Sequence, residues 1–456
     1  MADQNLMDKV VSLCKRRGFV FPGSEIYGGL ANTWDYGPMG VELKKNISDA
    51  WWKFFVRDRK DMVGLDAAIL MNPKVWQASG HVDCFNDALV DCKDCKARLR
   101  ADHLIEDAVP DAKVEGLSTA ELDDLIRKHG IKCPKCGSTN FTEARVFNLL
   151  FQTNIGPVSK DSEAVYLRGE LAQSMFVDFK NIMDTGRQKI PFGIAQVGKC
   201  FRNEITPGNF IFRTIEFDLM EFEFFIKEEE WEKWFDYWLS EMKEWLSVVG
   251  IDSAKTRVRE HTEDELSHYS KRTCDIEFET PFGWKELYGL AYRTDFDLKN
   301  HMDKTGINLQ YRDPVTNEQY IPHVVEPTFG LTRSVLMVLL SAYNEEEVDG
   351  ETRVVLKLNP AIAPVKVAVL PLQKKLEDDA MKVYDLLKKD FACEFDLSGS
   401  IGKRYRRQDE IGTPYCVTFD FESLEDNSVT VRDRDTMQQE RISIDDLNNY
   451  LKNKMS

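Results

Sequence analysis

The residues best equipped for chemistry stand in one stretch, 201–217, which reads FRNEITPGNFIFRTIEF. Arg202 and Arg213 lie eleven residues apart across a Pro207-Gly208 turn, with Glu204 beside the first and Phe217 four residues past the second. A strand-turn-strand unit carrying these groups can hold a flat base against Phe217. Its two guanidinium forks, cationic at any relevant pH, can reach phosphate oxygens. Such a site stabilises the charge that develops in phosphoryl or nucleotidyl transfer and needs no protein nucleophile. The same residues equally describe a surface hairpin with solvated arginines, and the hairpin alone does not separate the two readings.

A second constellation is made of cysteines. Cys92-Lys-Asp-Cys95 and Cys133-Pro-Lys-Cys136 form two C-x-x-C knuckles with 37 residues between them. Paired knuckles suit tetrahedral thiolate ligation of zinc, and four cysteine ligands leave no open position, so the expected role is structural. Between them LSTAELDDLIRKHG offers Ser118 or Thr119 as helix cap, a Leu122, Leu125, Ile126 stripe and Gly130 as a stop. Cys84 lies nearby but lacks a spaced partner and is left out of the ligand set.

These groups need elements to position them. The chain of 456 residues, 43% hydrophobic and 30% charged, has the composition of a soluble globular protein with room for two or three domains. A formal charge of −17 opposes indiscriminate attraction to polyanions, so any nucleic-acid site must be a local basic groove. The N-terminus carries an apolar helical face without a signal-peptide core, and no window approaches the ~20 apolar residues of a membrane span. With ten cysteines expected as thiols or metal ligands, the expected location is the cytosol. The pattern over 37–56 predicts a long helix, and MVGLDAAILMNP reads as a buried strand ending at Pro73. Antiparallel strands are expected across 189–226, where the alternation of Phe217 and Leu219 shifts phase to Phe222 and Phe224 and predicts a bulge near Met220. A helix over 228–248 carries a Trp231, Trp234, Trp238, Trp245 stripe of core type. Beyond Pro360 and Pro364, short strands alternate with helices, the pattern of a separate α/β domain.

The neighbours of the arginine hairpin decide its reading. The stretch 201–217 resembles motif 2 of the class II aminoacyl-tRNA synthetases, and EPTFGLTR at 326–333, leading into SVLMVLLSAY, resembles their motif 3. The helix and strand ending in Pro73 are similar to motif 1, which builds the dimer interface in that class. RGFVFPGSEIYGGLANTWDYGPMG at 17–40, NPKVWQASGH at 72–81, RADHLIED at 100–107, RTDFDL at 293–298 and SIGKRYRRQDEIGTPYCVTFDF at 400–421 narrow the resemblance to glycyl-tRNA synthetases of the homodimeric type found in bacteria and eukaryotes. That resemblance covers almost the whole chain. It implies an α+β protein with a class II antiparallel-sheet catalytic core and flanking helices over 1–360, a zinc-ribbon insertion at about 84–145, and an α/β anticodon-binding domain over 361–456. It further implies ATP-dependent attachment of glycine to tRNA(Gly) through glycyl-adenylate, with Mg2+, structural Zn2+, and a homodimer.

Matched position by position, the resemblance implies a catalytic set of Arg202, Glu204, Arg213 and Arg333. Arg202 is expected on the α-phosphate and the carboxylate under attack, Glu204 near the adenine, Arg213 and Arg333 on the outer phosphates, and Phe217 against the base. Asn203, Phe212, Leu287 and Gly330 complete the ATP contacts, and Glu286 is the expected Mg2+ ligand. Glycine is expected among Arg100, Glu170, Phe217, Glu221, Arg293 and Glu326, with Thr328 closing the pocket; carboxylates suit its ammonium group and arginines its carboxylate. In the C-terminal domain Lys403, Arg404, Arg406 and Arg407 surround Tyr405 and are expected to meet the anticodon loop by phosphate contact and stacking. His261 and His268 receive no catalytic part.

The chain also departs from that family. The usual RPETAQG is RGELAQS at 168–174, placing Gly169, Leu171 and Ser174 where proline, threonine and glycine are expected. Ile215 replaces an arginine, Leu219 a glutamine, Lys285 a glycine and Thr328 a serine, and Leu331-Thr332 replace the usual residues before Arg333. These changes cluster around the expected site and raise two alternatives: a relative with altered amino-acid specificity, or a noncatalytic nucleic-acid-binding accessory protein. Retention of Arg202, Glu204, Arg213 and Arg333 favours a working ligase.

Overall fold

A seven-stranded sheet organises the larger part of the chain. The computed structural model describes residues 2–455 except 110, 111, 113, 115, 157–162, 206 and 207, so Pro207 of the expected turn lies outside the described residues. The strands are β1 (Met62–Gly64), β2 (Phe192–Phe201), β3 (Glu216–Ile226), β4 (Thr256–Glu260), β5 (Arg272–Thr280), β6 (Gly283–Thr294) and β7 (His323–Gly330). Their order is β4-β5-β6-β7-β3-β2-β1, antiparallel throughout except for the β1/β2 edge pair.

Helix α1 (Pro38–Trp52) starts with Pro38 in its first turn, where a missing N–H costs nothing, and buries Leu43, Ile47 and Trp51. A short π turn over Lys53–Arg57 prolongs it and buries Phe55. The strand expected to run to Pro73 is shorter than the sequence suggests. Pro73 instead opens a short helix to Ala78, with Asn72 Oδ1 accepting from Lys74 N at 3.0 Å. An Asn-Pro pair is a helix start as much as a strand stop, because asparagine caps and proline fits the first helical position.

The bulge expected near Met220 is absent. β2 and β3 pair in unbroken register from Glu216 opposite Phe201 to Phe225 opposite Phe192. The phase shift arises because β3 is central and buried on both faces. Leu219 and Phe225 join one apolar cluster with Leu171 and Phe176, whereas Met220, Phe222, Phe224 and Ile226 join another with Trp51 and Trp238. Helix α2 (Trp231–Val248) contributes Trp238 and Trp245 to that second cluster, and Trp231 stacks on Tyr292 with ring centroids 4.6 Å apart. Helix α3 (Leu331–Ala342) follows β7 without a loop, and ten of its residues are buried.

The cysteine-bearing insertion has its own three-stranded sheet and small core around Val90, Ile105, Leu122 and Ile126. Its helix Thr119–Lys128 begins as expected: Ser118 accepts from Glu121 N, and Glu121 accepts from Ser118 N at 2.8 Å. The C-terminal sheet comprises β8 (Val367–Pro371), β9 (Cys393–Phe395), β10 (Tyr415–Phe419), β11 (Ser428–Asp433) and β12 (Gln439–Ser443), ordered β9-β8-β10-β11-β12. Helix α4 (Ile401–Ile411) carries the basic cluster and ties this sheet to the catalytic body. Its Asp409 accepts from Arg432 at 2.9 Å and from the fully buried Arg353, also at 2.9 Å, on the strand Glu351–Leu356.

Candidate active site

One cavity of about 580 Å³ lies over β3, β5, β6 and β7, with cationic groups at one end and carboxylates at the other. The cationic end is built by the hairpin. Arg202 follows β2 directly; its Nε donates to Gly169 O at 3.1 Å, and its guanidinium lies 5.1 Å from the Phe85 ring centre and 5.4 Å from that of Phe217. Gly208 and Arg213 exchange backbone hydrogen bonds of 3.0 and 3.2 Å across a turn at 209–212, one step beyond the expected Pro207-Gly208. Phe210, Ile211 and Phe212 anchor the loop in the core, and Phe210 meets Trp34 edge to face at 4.8 Å. Arg213 is thereby held against the cavity instead of swinging in solvent.

Arg333 sits in the first turn of α3, where free backbone N–H groups and the helix dipole favour an anion. Its Nη1 donates to Glu286 Oε1 at 3.1 Å and to Glu286 O at 3.0 Å, and it lies over Phe212 at 4.7 Å. Arg333 beside it holds Glu286 below the usual carboxylate range. Burial lowers the pKa of Arg213, reinforced by Arg333 and Arg100 and opposed by Glu204. A cation whose charged form is disfavoured by its neighbours is best served by an anionic occupant. Glu204 Oε2 is buried with no hydrogen-bond partner among the described residues, which leaves it free to accept from a ligand.

At the other end β3 and β7 stand side by side, with Glu221 opposite Thr328. Both oxygens of Glu221 are occupied: Leu171 N donates to one at 2.9 Å and Thr328 Oγ1 to the other at 2.7 Å. Glu326 accepts from Arg293 Nη1 through both oxygens at 3.0 Å. Glu170 accepts from Gln173 at 3.0 Å and faces His81 Nε2 at 3.1 Å. Burial opposes its charge, but His81 and Arg293 hold it well below the ordinary carboxylate range. Burial pushes Glu326 and Glu221 upward instead.

Arg202, Glu204, Phe212, Arg213, Phe217, Glu286, Leu287, Gly330 and Arg333 thus meet at one end, and Glu170, Glu221, Glu326 and Thr328 at the other. Three expected contacts stand apart from the wall. Arg100 belongs to the insertion, where Asp87 takes its Nη1 at 2.9 Å and Asp102 its Nε at 3.1 Å. Arg293 lies behind Glu326, 1% exposed, its Nε and Nη2 on Asp297 at 2.8 and 3.0 Å. Asn203 turns its backbone N–H to Leu149 O at 2.8 Å. The wall also includes residues that carried no role in the sequence reading. His261 and His268 both line it, His261 bound to Asp275 at 2.8 Å. His81, Phe85 and Tyr269 line it too. Only the segment containing His81 bore a family signature, and nothing in its pattern singled out the imidazole.

The departures have local explanations. Leu171 and Leu219 pack in one apolar cluster, and Ser174 Oγ donates to Leu171 O at 2.7 Å and lies 2.9 Å from the Gln196 side-chain amide. A Cβ added at Gly169 meets Phe85 at 3.2 Å and Leu150 at 3.4 Å, so the glycine admits the ring that covers Arg202. Nothing in the structure explains Ile215.

The four cysteines converge: Cys92 and Cys136 sulfurs are 3.5 Å apart, Cys95 and Cys133 are 3.7 Å apart, and all four lie within 4.8 Å of one another. Four thiolates around an ion at about 2.3 Å stand roughly 3.8 Å apart, so the spacing fits a tetrahedral metal. Each knuckle closes alike, Lys96 N to Cys92 O and Gly137 N to Cys133 O, with Lys96 and Gly137 at φ 60° and 73°. The basic cluster of α4 is less uniform than its sequence. Arg404, 2% exposed, donates to Pro371 O at 2.7 Å and Asp396 O at 3.1 Å, so its part is to fix the helix and not to reach RNA. Arg407 is tied to Asp396 at 3.1 Å, whereas Lys403 is exposed and Arg406 half-buried.

The fold and this cavity define a class II tRNA synthetase core. Residues 157–343 match the family "tRNA synthetase class II core domain (G, H, P, S and T)", and residues 366–454 match "Anticodon binding domain". Over 453 residues, 98% of each chain, the protein is 58% identical to the glycine–tRNA ligase of Caldanaerobacter subterraneus subsp. tengcongensis. It is 58% identical over 455 residues to that of Geobacillus thermodenitrificans, covering 99% of this chain and 98% of the relative. With the glycine–tRNA ligase of Ruminiclostridium cellulolyticum it shares 57% over 459 residues, all of this chain and 99% of the relative. The chain belongs to the glycine–tRNA ligase family. Among the described residues no helix is long and apolar enough to cross a membrane.

Proposed function

We propose that the protein attaches glycine to tRNA(Gly) at the expense of ATP, through a bound glycyl-adenylate. One observation carries the reading: a single cavity joins an arginine-lined end to a carboxylate-lined end, the charges needed for a nucleotide triphosphate beside an α-ammonium group. Arg202, between the two ends, takes the α-phosphate and the glycine carboxylate; Arg213 and Arg333 take the outer phosphates; Phe217 stacks on the adenine, with Glu204 accepting from its amino group. The glycine carboxylate attacks the α-phosphorus in line and pyrophosphate leaves towards Arg213 and Arg333. The terminal ribose hydroxyl of tRNA then attacks the acyl carbon and AMP leaves. Fixed cations and alignment supply the catalysis, so no protein nucleophile is required.

Glu170, Glu221 and Glu326 hold the ammonium group, and Thr328 occupies the space a larger side chain would need. Rejecting larger amino acids by clash is the easy direction of discrimination, so no editing site is needed. Glu286, facing the cavity beside Arg333, offers the oxygen donor for Mg2+, which neutralises phosphate charge when bound. Zinc is the metal proposed for the four cysteines, and the catalytic unit is a homodimer built over residues 1–360 with its anticodon-binding domain over 361–456. Lys403, Arg406 and Arg407 face the anticodon loop. The test is charging: labelled glycine should become acid-precipitable on tRNA(Gly) only with ATP, and no charging with intact tRNA would reject the proposal.

A further inference from the structure

Behind Glu221 and Glu326 of the amino-acid end lies a further carboxylate, Glu223, which the reaction described above does not use. It is the next residue of β3 on the same face as Glu221, is 0% exposed, and neither of its oxygens has a hydrogen-bond partner among the described residues. Carboxylate oxygens of Glu221, Glu223 and Glu326 all lie within 4.8 Å of one another. The only guanidinium in the cluster among the described residues is already committed, since Arg293 spends Nη1 on Glu326 and Nε and Nη2 on Asp297. Glu170, just before the short helix Ala172–Val177, is engaged by His81 and Gln173. Tyr269 covers Arg293 at 3.8 Å and brings no charge of its own at neutral pH. The groups facing Glu223 therefore carry more negative than positive charge, and carboxylates this close in a dry site cannot all be ionised.

We infer that Glu223 is a positioning residue that stores a proton while the amino-acid pocket is empty and releases it when an α-ammonium group settles against Glu221 and Glu326. The inference rests on the glycine-binding reading above. The proton leaves the Glu223 carboxyl oxygen, passes over Glu326, whose carboxylate lines the cavity, and goes to buffer; the ammonium group arrives already protonated and supplies the replacing charge. Burial and the adjacent Glu326 push the Glu223 carboxyl well above the ordinary carboxylate range, in the same direction as the geometry. Because a proton and the ammonium group compete, glycine should bind more tightly as pH rises, by at most about tenfold per pH unit for one proton.

The test is calorimetric titration of the full chain with glycine in buffers of different ionisation enthalpy at one pH. Proton release, a fraction up to one per glycine, is expected. Glu223→Gln, nearly isosteric with the protonated acid, should abolish the release, raise KM for glycine severalfold without changing kcat in pyrophosphate exchange, and flatten the pH dependence of that KM. Glycine binding without proton release, or release that persists in Glu223→Gln, overturns the inference while leaving glycine recognition standing. No glycine binding, together with no glycine-dependent exchange, overturns the pocket assignment and this inference with it. An infrared band of a protonated carboxyl group in the ligand-free wild type, lost in Glu223→Gln, is expected independently of any ligand; its absence from the wild type also overturns the inference.

Discussion

Thr328 separates two contributions to amino-acid selection that a single substitution would confuse. Its hydroxyl donates to Glu221 at 2.7 Å, and the same residue lines the cavity where an amino-acid side chain would lie. Thr328→Ala removes the donor from a buried carboxylate, and a hydrogen bond to a charged group contributes about 1.5–3 kcal/mol. If Glu221 carries the ammonium group, kcat/KM for glycine should fall roughly tenfold to a hundredfold. Thr328→Ser keeps the hydroxyl and removes one methyl, so glycine activation should hold while discrimination against alanine drops by roughly tenfold or more, the worth of one methylene-sized contact. Pyrophosphate exchange with glycine and with alanine measures both. An unchanged glycine kcat/KM in Thr328→Ala would refute the role given to Glu221, and unchanged discrimination in Thr328→Ser would show that another residue excludes the larger substrate.

Arg333→Ala should lower kcat for adenylate formation by roughly 10²–10³, the usual effect of removing one preorganised charge-stabilising group; a rate within threefold (about 0.7 kcal/mol) of wild type would remove it from the phosphate set. Cys133→Ser should abolish zinc binding at the site proposed for the four cysteines, read as lost zinc in elemental analysis, with exchange activity surviving better than the fold of the insertion. Asp409→Ala leaves buried Arg353 and Arg432 short of an anion and should destabilise the docking of the C-terminal domain by about 3 kcal/mol in urea unfolding; a change near zero would contradict the coupling described for α4.

Much of this was legible in the sequence, for physical reasons that differ from element to element. The cysteine knuckles and the capped helix between them are local devices, written in consecutive residues, and both took the expected form. The arginine hairpin was legible because its two strands and the loop between them adjoin in sequence, while the described reversal falls at 209–212 and the expected Pro207 lies outside the described residues. The two-sided burial of β3 was not, since a central strand loses the simple alternation on which a register is read, and its phase shift imitated a bulge. The helix opening at Pro73 shows the opposite ambiguity, one proline serving as a stop or a start. Arg404 illustrates a further limit: a run of basic residues on a helix has an inward face, and which arginine occupies it depends on carbonyls 33 and 8 residues away. His81, His261 and His268 reached the cavity from three separate segments, a convergence that no spacing records.

The central claim is that the arginine end and the carboxylate end of one cavity act together on ATP and glycine. Amino-acid-dependent exchange of pyrophosphate into ATP, without tRNA, tests it most directly when glycine is compared with alanine, serine and the remaining amino acids. The account predicts exchange with glycine alone, lost in Arg202→Ala while the variant stays folded. Exchange driven by a different amino acid, or none with any, would contradict it.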